Sequence, residues 1–535
     1  MKINSYISVP FLLIFLPIVV ILYSAVPKKA KPYILLLASV IFSVFLSSFL
    51  TFYLVFTVLS IYFCALAIEK LKKKQALLVS GAESREEKKL IKKKCGKKQL
   101  ALLVVFVVIN ILILALLKYS PFFFENIRLL VNRFKSDFNP VLPKFAAPVG
   151  ISFYTLQAVS YMHDVYKGKI EAEHNLGKLA LFVSFFPAIM EGPICRYSQT
   201  SEKLWAGESI SYRNLTFGIQ RIFFGMLKKI VIADRLNLVV TTIFKDFEAY
   251  HYDGGIIALG AILYTVELYS EFSGTMDVVI GTAEIFGITL PENFRQPFFS
   301  KSISEFWQRW HITLGTWFRD YVFYPVTMSA GMKKLTRSCR KKLGRSYGPL
   351  PASIVAFFCV WLCNGIWHGA GWQYVFFGMY HFVLISLGAL ITPASNALFE
   401  KLKIDKNKLP YKIFAIVRTA ILVFIGEMFF NSRGITQGFK MFKIMVSDFS
   451  LKSIFNGSVL TLGIDAYDIA IVVISLVIVL IVGLMKEKGI SPREYIAEKP
   501  IFIRWPIYLS LILFIAVFGA YGAGYVPIDP IYANF

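Results

Sequence analysis

Apolar runs near the length of a membrane span recur from one end of the chain to the other. The first, residues 9–25, is followed by Pro-Lys-Lys-Ala-Lys-Pro. It is long for a signal-peptide core and lacks a small-residue cleavage pattern, so it reads as a first span. Residues 33–68 hold no charged residue. That stretch is too long for one crossing and suits two, with a tight turn near Ser47–Ser48. Spans are predicted further on at 99–117, 147–163, 179–194, 216–233, 255–271, 350–367, 372–392, 411–430, 467–485 and 503–523, since about 20 apolar residues cover the hydrocarbon core. The pattern describes an all-α, polytopic membrane protein with about 11–13 spanning or re-entrant helices.

The middle third is the least regular part. Its apolar runs are interrupted by charges and glycines, and irregular backbone at membrane depth is tolerated only inside protein or along a cavity. Residues 145–375 are therefore the candidate functional core. The expected organisation is N-terminal helices over 1–144, a core over 145–395 and C-terminal helices over 396–535. There is no internal repeat, no low-complexity tract and no inverted pair of broken segments of the kind that marks many transporters.

Composition sharpens this reading. Of 535 residues, 56% are hydrophobic and only 17% charged, whereas soluble domains carry roughly a quarter charged residues. Lys and Arg number 58 against 33 Asp and Glu, a net charge of +25. In a soluble protein that excess would suggest nucleic acid. Here it sits in short clusters between apolar runs, as the positive-inside rule produces, and no nucleic-acid partner is expected. The segment 69–98, basic throughout, reads as a solvated, partly helical cytoplasmic loop, which puts the N-terminus outside. The same charges can also attract anionic headgroups or a phosphate-bearing or acidic donor. The six cysteines are scattered without Cys-x-x-Cys or zinc spacing, so neither a disulfide nor a metal site is expected.

Two segments carry candidate chemistry. In Ser304–Tyr321, the residues Trp307, Trp310, Leu314, Trp317, Phe318 and Tyr321 recur at three- and four-residue steps. They predict one helix with an aromatic stripe on which His311 also falls. Glu305 and Arg309 are spaced to pair, and Ser302 or Ser304 can cap the start. An interfacial amphipathic helix with a merely packed His311 is the alternative.

The second segment, Leu350 to Ile391, contains no Asp, Glu, Lys or Arg. Within it stands Trp361-Leu-Cys-Asn-Gly-Ile-Trp-His-Gly-Ala-Gly-Trp372. Glycines 365, 369 and 371 predict two spans joined near His368, with Asn364 one turn before it and Trp367 and Trp372 flanking it. Ionisable residues are expensive at membrane depth and usually line a cavity or pathway. An imidazole out of water favours its neutral form, which a general base acting on a hydroxyl requires. A histidine satisfied by a backbone carbonyl is the plainer reading, and it is the one preferred for His381. The loop Lys333–Arg345, with seven Lys or Arg and no acid, reads as cytoplasmic. It places His311 on the cytoplasmic approach and His368 farther across.

Taken in order, these pieces resemble a known family. Trp310-His-Ile-Thr-Leu with Arg319-Asp320-Tyr321, then Trp367-His-Gly-Ala, are similar to motifs of the membrane-bound O-acyltransferases, and most to their bacterial alginate O-acetyltransferase branch. Pro148–Tyr154, Asp164–Gly168, Phe185–Pro193, Gly225–Arg235, Glu271–Gly274 and Phe286–Phe294 follow in family order. Pro530–Phe535 resembles a degraded form of that branch's aromatic tail. The resemblance implies a multi-pass protein of the bacterial cytoplasmic membrane with helices around a central tunnel. It implies His368 as catalytic residue and His311 as a second one along the donor path. Asn364, Trp367, Trp310, Trp307, Arg319, Asp320 and Asn293 would line the tunnel. No bound cofactor is implied; acetyl-CoA or another acyl thioester is the donor. The acceptor is a hydroxyl of an exported or wall polysaccharide, reached directly or through an extracytoplasmic acyltransferase- or esterase-like partner. D-alanyl transfer to teichoic acid remains an alternative, although the length favours the acetyltransferase branch. A polysaccharide or lipid-precursor transporter, or a non-catalytic scaffold, are the readings from other classes.

Overall fold

The computed structural model describes residues 5–134, 145–245 and 247–521. The aromatic tail Pro530–Phe535 lies outside them. Every regular element among the described residues is helical, and the chain divides into two compact units.

The first unit comprises residues up to Ile219 together with Val279–Pro291. It opens with a π-helical stretch, Pro10–Phe15, that continues as α1 (Leu16–Ala25). Then come α2 (Lys31–Ser47), α3 (Thr51–Ser80), α4 (Arg85–Val131), α5 (Ile151–Lys167), α6 (Leu176–Ser184) and α7 (Tyr197–Trp205). The turn between α2 and α3 falls where the apolar stretch required it, with Ser48 at a φ of 49° and the Thr51 hydroxyl donating to the Ser43 carbonyl at 3.0 Å. The basic segment 69–98 forms no loop. It is the far ends of α3 and α4, broken only over 81–84. Lys and Glu are good helix formers, Glu69 pairs with Lys73 at 2.9 Å, and Ser84 caps α4 by accepting from the Glu87 N–H at 3.0 Å.

The expected span at 179–194 is not a continuous helix. Helix α6 stops at Ser184 and a buried, irregular segment follows to Cys195. Its backbone is satisfied by side chains: the Tyr6 hydroxyl donates to the Phe186 carbonyl and accepts from the Met190 N–H, both at 3.0 Å. Ser39 accepts from the Phe186 N–H at 3.0 Å. Such partners let non-helical backbone lie inside a membrane protein. Gly150, at a φ of 79°, passes so close that a Cβ there would sit 1.9 Å from the Ile189 carbonyl oxygen.

The second unit holds Gln220–Val278 and the described residues from Glu292 onward. It takes in the end of α8 (Tyr212–Met226), a π-helical stretch (Leu227–Ala233), α9 (Asp234–Lys245) and most of α10 (Gly254–Ile285). The short α11 (Ile303–Arg309) and α12 (Ile312–Phe318) lead through a second π-helical stretch, Arg319–Phe323, into α13 (Tyr324–Thr327) and the basic α14 (Ala330–Tyr347). After them come α15 (Leu350–His368), α16 (Trp372–Lys401), α17 (Leu409–Asn431), α18 (Ile435–Ser447), α19 (Lys452–Phe455), α20 (Ala466–Glu487), α21 (Pro492–Ala497) and α22 (Ile501–Phe518).

Helices α15 and α16 form a hairpin drawn together by two glycines. A Cβ at Gly378 would lie 2.3 Å from the Trp361 carbonyl oxygen, and one at Gly365 would lie 2.5 Å from that of Tyr374. Backbone-to-backbone approach of this kind is how small residues drive helix association where water supplies no hydrophobic force. Among the described residues, eight helical segments are long and apolar enough to cross a membrane. One of them, Lys28–Ser80, contains both α2 and α3. The protein is a polytopic, all-α membrane protein.

Candidate functional site

The aromatic stripe of residues 304–321 does not lie on a single helix. It begins as expected: Ser302 caps α11, its hydroxyl accepting from the Glu305 N–H at 3.1 Å, and Arg309 pairs with Glu305 at 3.0 Å. The helix then stops. Trp310 is extended, and His311 takes the left-handed conformation at φ 44°, ψ 51°. A non-glycine residue held there stores strain on the order of 1–3 kcal/mol unless its surroundings over-determine it.

Those surroundings centre on Asn293. Its carbonyl accepts from the Ile312 N–H at 3.0 Å. Its side-chain Oδ1 accepts from the Thr313 N–H at 3.0 Å and from the Thr313 hydroxyl at 2.7 Å. The same oxygen faces Nδ1 of His311 at 3.5 Å, while the Asn293 amide donates to Sδ of Met276 at 3.2 Å. One buried asparagine thus satisfies the start of α12 and turns the His311 ring. Periodicity could not show this break, because the polar partner comes from a loop 18 residues upstream.

The hairpin presents the second histidine differently. His368 is the last residue of α15; Gly369 to Gly371 are non-helical and α16 resumes at Trp372, as the glycines required. Rings hold His368: Trp367 at 5.1 Å, Phe430 at 5.2 Å and Phe377 at 6.0 Å between centroids. A Cβ at Gly369 would meet the Tyr374 ring, and one at Gly371 the Gln373 side chain.

His311 and His368 line one cavity of 640 Å³. Trp367 stacks edge-on toward both, 5.6 Å from the His311 ring. Burial first, and the neighbouring His368 second, hold the His311 imidazole well below its ordinary range, so it is neutral near pH 7. Asn364, Trp307, Trp310 and Arg319 share the same cavity wall. Its remaining lining is largely apolar, and Arg319 is its one permanently charged residue. The cavity is largely apolar and polar at a few points only, the usual character of a small-molecule site.

Three expected lining residues, Trp367, Asp320 and Asn293, are placed elsewhere, Trp367 packing against the two histidine rings without lining the cavity. Asp320 pairs with Arg319 at 3.1 Å, outside the cavity lining. Asn293 lies behind His311 and lines a smaller cavity beside Arg221, Lys228 and Asp277. His381 is packed and hydrogen-bonded, as its plainer reading expects, with an indole rather than a backbone carbonyl as partner. It is fully buried, its Nδ1 accepts from the Trp307 indole N–H at 3.2 Å, and its ring lies 4.8 Å from Trp307 and 5.3 Å from Trp361. It braces the indole wall of the cavity. The only signal for it was its presence in the uncharged 42-residue stretch.

Residues 150–339 match the model of MBOAT, the membrane-bound O-acyltransferase family. The chain is 32% identical over 347 residues to a probable alginate O-acetylase of Pseudomonas aeruginosa, covering 64% of this chain and 60% of that protein. It is 30% identical over 372 residues to the Azotobacter vinelandii probable alginate O-acetylase, covering 69% and 68%. A teichoic acid D-alanyltransferase of Bacillus subtilis is 32% identical over 297 residues, covering 53% of this chain and 69% of the relative. The match thus spans about three fifths of the Pseudomonas aeruginosa protein's length.

Proposed function

The chain belongs to the membrane-bound O-acyltransferase family, and from that membership we propose that it moves an acyl group from a thioester to a hydroxyl of an exported polysaccharide. The observation that carries the proposal is the placing of two buried histidines, His311 and His368, on one largely apolar cavity. Acetyl from acetyl-CoA is the proposed donor group, taken up on the cytoplasmic side. The acceptor is a wall or secreted polymer, reached directly or through an extracytoplasmic partner. The proposed setting is the bacterial cytoplasmic membrane, with residues 145–395 as the catalytic core and a tunnel joining the two faces.

In this mechanism His368 accepts the proton of the attacking hydroxyl. The oxygen adds to the thioester carbonyl, and the Asn364 amide steadies the oxyanion that develops. Collapse of the intermediate breaks the carbon–sulfur bond and forms the ester. The thiol leaves with the proton returned by an imidazole. His311 orients the thioester, and the apolar walls exclude the water that would hydrolyse it.

The test is transfer of labelled acetyl from acetyl-CoA by purified protein, alongside ester content of the envelope in cells expressing His368→Ala at normal levels. Wild-type ester in that variant would end the catalytic assignment, and a transporter would show no transfer at all. Similarity to a teichoic acid D-alanyltransferase supports a second reading, in which a D-alanyl group is carried instead. Mild alkaline release of acetate or of D-alanine from the acceptor distinguishes the two.

A further inference from the structure

Among the eight candidate spans of the described residues, α20 and α22 are the least buried, at 11% and 6% of their most apolar windows. Both pack against the π-helical stretch Leu227–Ala233 while scarcely touching one another. Between them lies a cavity of 810 Å³. On α20 its wall is Ile474, Ile478 and Val482, one face at four-residue steps, ending at Lys486. On α22 it is Ile507, Leu511 and Phe514. The inner end closes on the cluster of Leu227, Val231 and Ile515.

The two ends differ in chemistry. From Ile474 to Lys486 a helix rises about 18 Å, close to the roughly 15 Å depth of one leaflet's hydrocarbon. At the Lys486 end stand Arg221, Lys228, Lys486 and Arg493 against Asp277 and Glu292. Arg221 is occupied, donating to Asp277 at 2.8 Å and to both oxygens of Glu292 at 2.8 and 2.6 Å. Lys228 is occupied too, 2.6 Å from Asp277. Lys486 has no carboxylate within ion-pair distance among the described residues. Arg221 and Lys228 are met by Asp277 and Glu292, so Lys486 supplies the positive charge at the end of a leaflet-deep apolar slot.

We propose that this slot is a binding site for one anionic glycerophospholipid, an acyl chain lying between α20 and α22 and the headgroup phosphate on Lys486. The complementarity is of length and of charge together. A neutral lipid satisfies only the first, and a free phosphate only the second. Anionic lipids are attracted to basic segments at the cytoplasmic surface, so the basic end marks that side of the protein.

The test is native mass spectrometry of the full chain in detergent, with phosphatidylglycerol or phosphatidylcholine added. One phosphatidylglycerol per chain is expected to survive activation, at least tenfold more abundant than phosphatidylcholine. Val482→Trp, which fills the slot, should abolish retention of both. Lys486→Glu, at an exposed position, should remove the preference for the anionic lipid while size-exclusion behaviour stays normal. Equal retention of the two lipids by the parent, or undiminished phosphatidylglycerol on Val482→Trp or Lys486→Glu, overturns the proposal.

Discussion

The two histidines of the cavity are held by opposite means. His311 sits at a break between two seven-residue helices, in a left-handed conformation, and directional hydrogen bonds to Asn293 define its place. His368 ends a 19-residue apolar helix, and ring packing with a glycine-tight hairpin defines its place. Hydrogen bonds specify an angle and fail when one atom is lost. Packing specifies a volume and fails gradually, with the size of the void or the overlap. A membrane protein can use the second device along any apolar span. The first needs polar backbone that is buried in protein.

The largest effect is on chemistry: His368→Ala should lower acetyl transfer about 10²- to 10⁴-fold, the usual worth of a positioned acid–base group. Its thermal unfolding should change little, and a large loss of stability would mean that His368 packs rather than reacts. Next, Gly378→Leu forces side-chain atoms into the Trp361 carbonyl. About 1–3 kcal/mol of destabilisation is expected, read as a lowered unfolding temperature in detergent.

Asn293→Leu keeps the volume and removes the oxygen to which Thr313 donates and which faces the His311 ring. Roughly 1–3 kcal/mol follows from leaving a buried donor unsatisfied, with a fall in transfer rate at unchanged expression. Asn293→Asp, which keeps the oxygen, should recover more of the rate than Asn293→Leu. If the two variants behave alike, the clamp is not what holds His311. Phe430→Leu, on the packing side, should cost about 1 kcal/mol with only a small change in rate. An effect of similar size is expected for Trp307→Phe, which removes the hydrogen bond to His381 and should cost about 0.5–1.5 kcal/mol.

Hydrophobic periodicity made most of the long helices legible, because a span must be apolar for about 20 residues whatever it packs against. The turn at Ser47–Ser48 and the break after His368 were legible for the same reason, since length and glycine spacing are local properties. The aromatic stripe of 304–321 predicts one helix, whereas the segment is broken at Trp310 and His311. Its period is helical on both sides of Trp310, while the break depends on Asn293. Likewise the apolar run at 179–194 has a span's composition. Its irregular path is hydrogen-bonded by Tyr6 and Ser39, far upstream in the sequence.

By itself, then, the sequence determined that this is a multi-pass helical membrane protein, which stretch is too polar to face lipid idly, and which histidines are costly to keep. These follow from transfer free energies that each residue carries wherever it stands. The tertiary structure alone decided that His311 and His368 share one cavity, that Asn293 serves behind it, that His381 braces its wall and that α20 and α22 stand apart. Such matters depend on hydrogen-bond partners and contacts distant in sequence, and no local pattern of polarity encodes them.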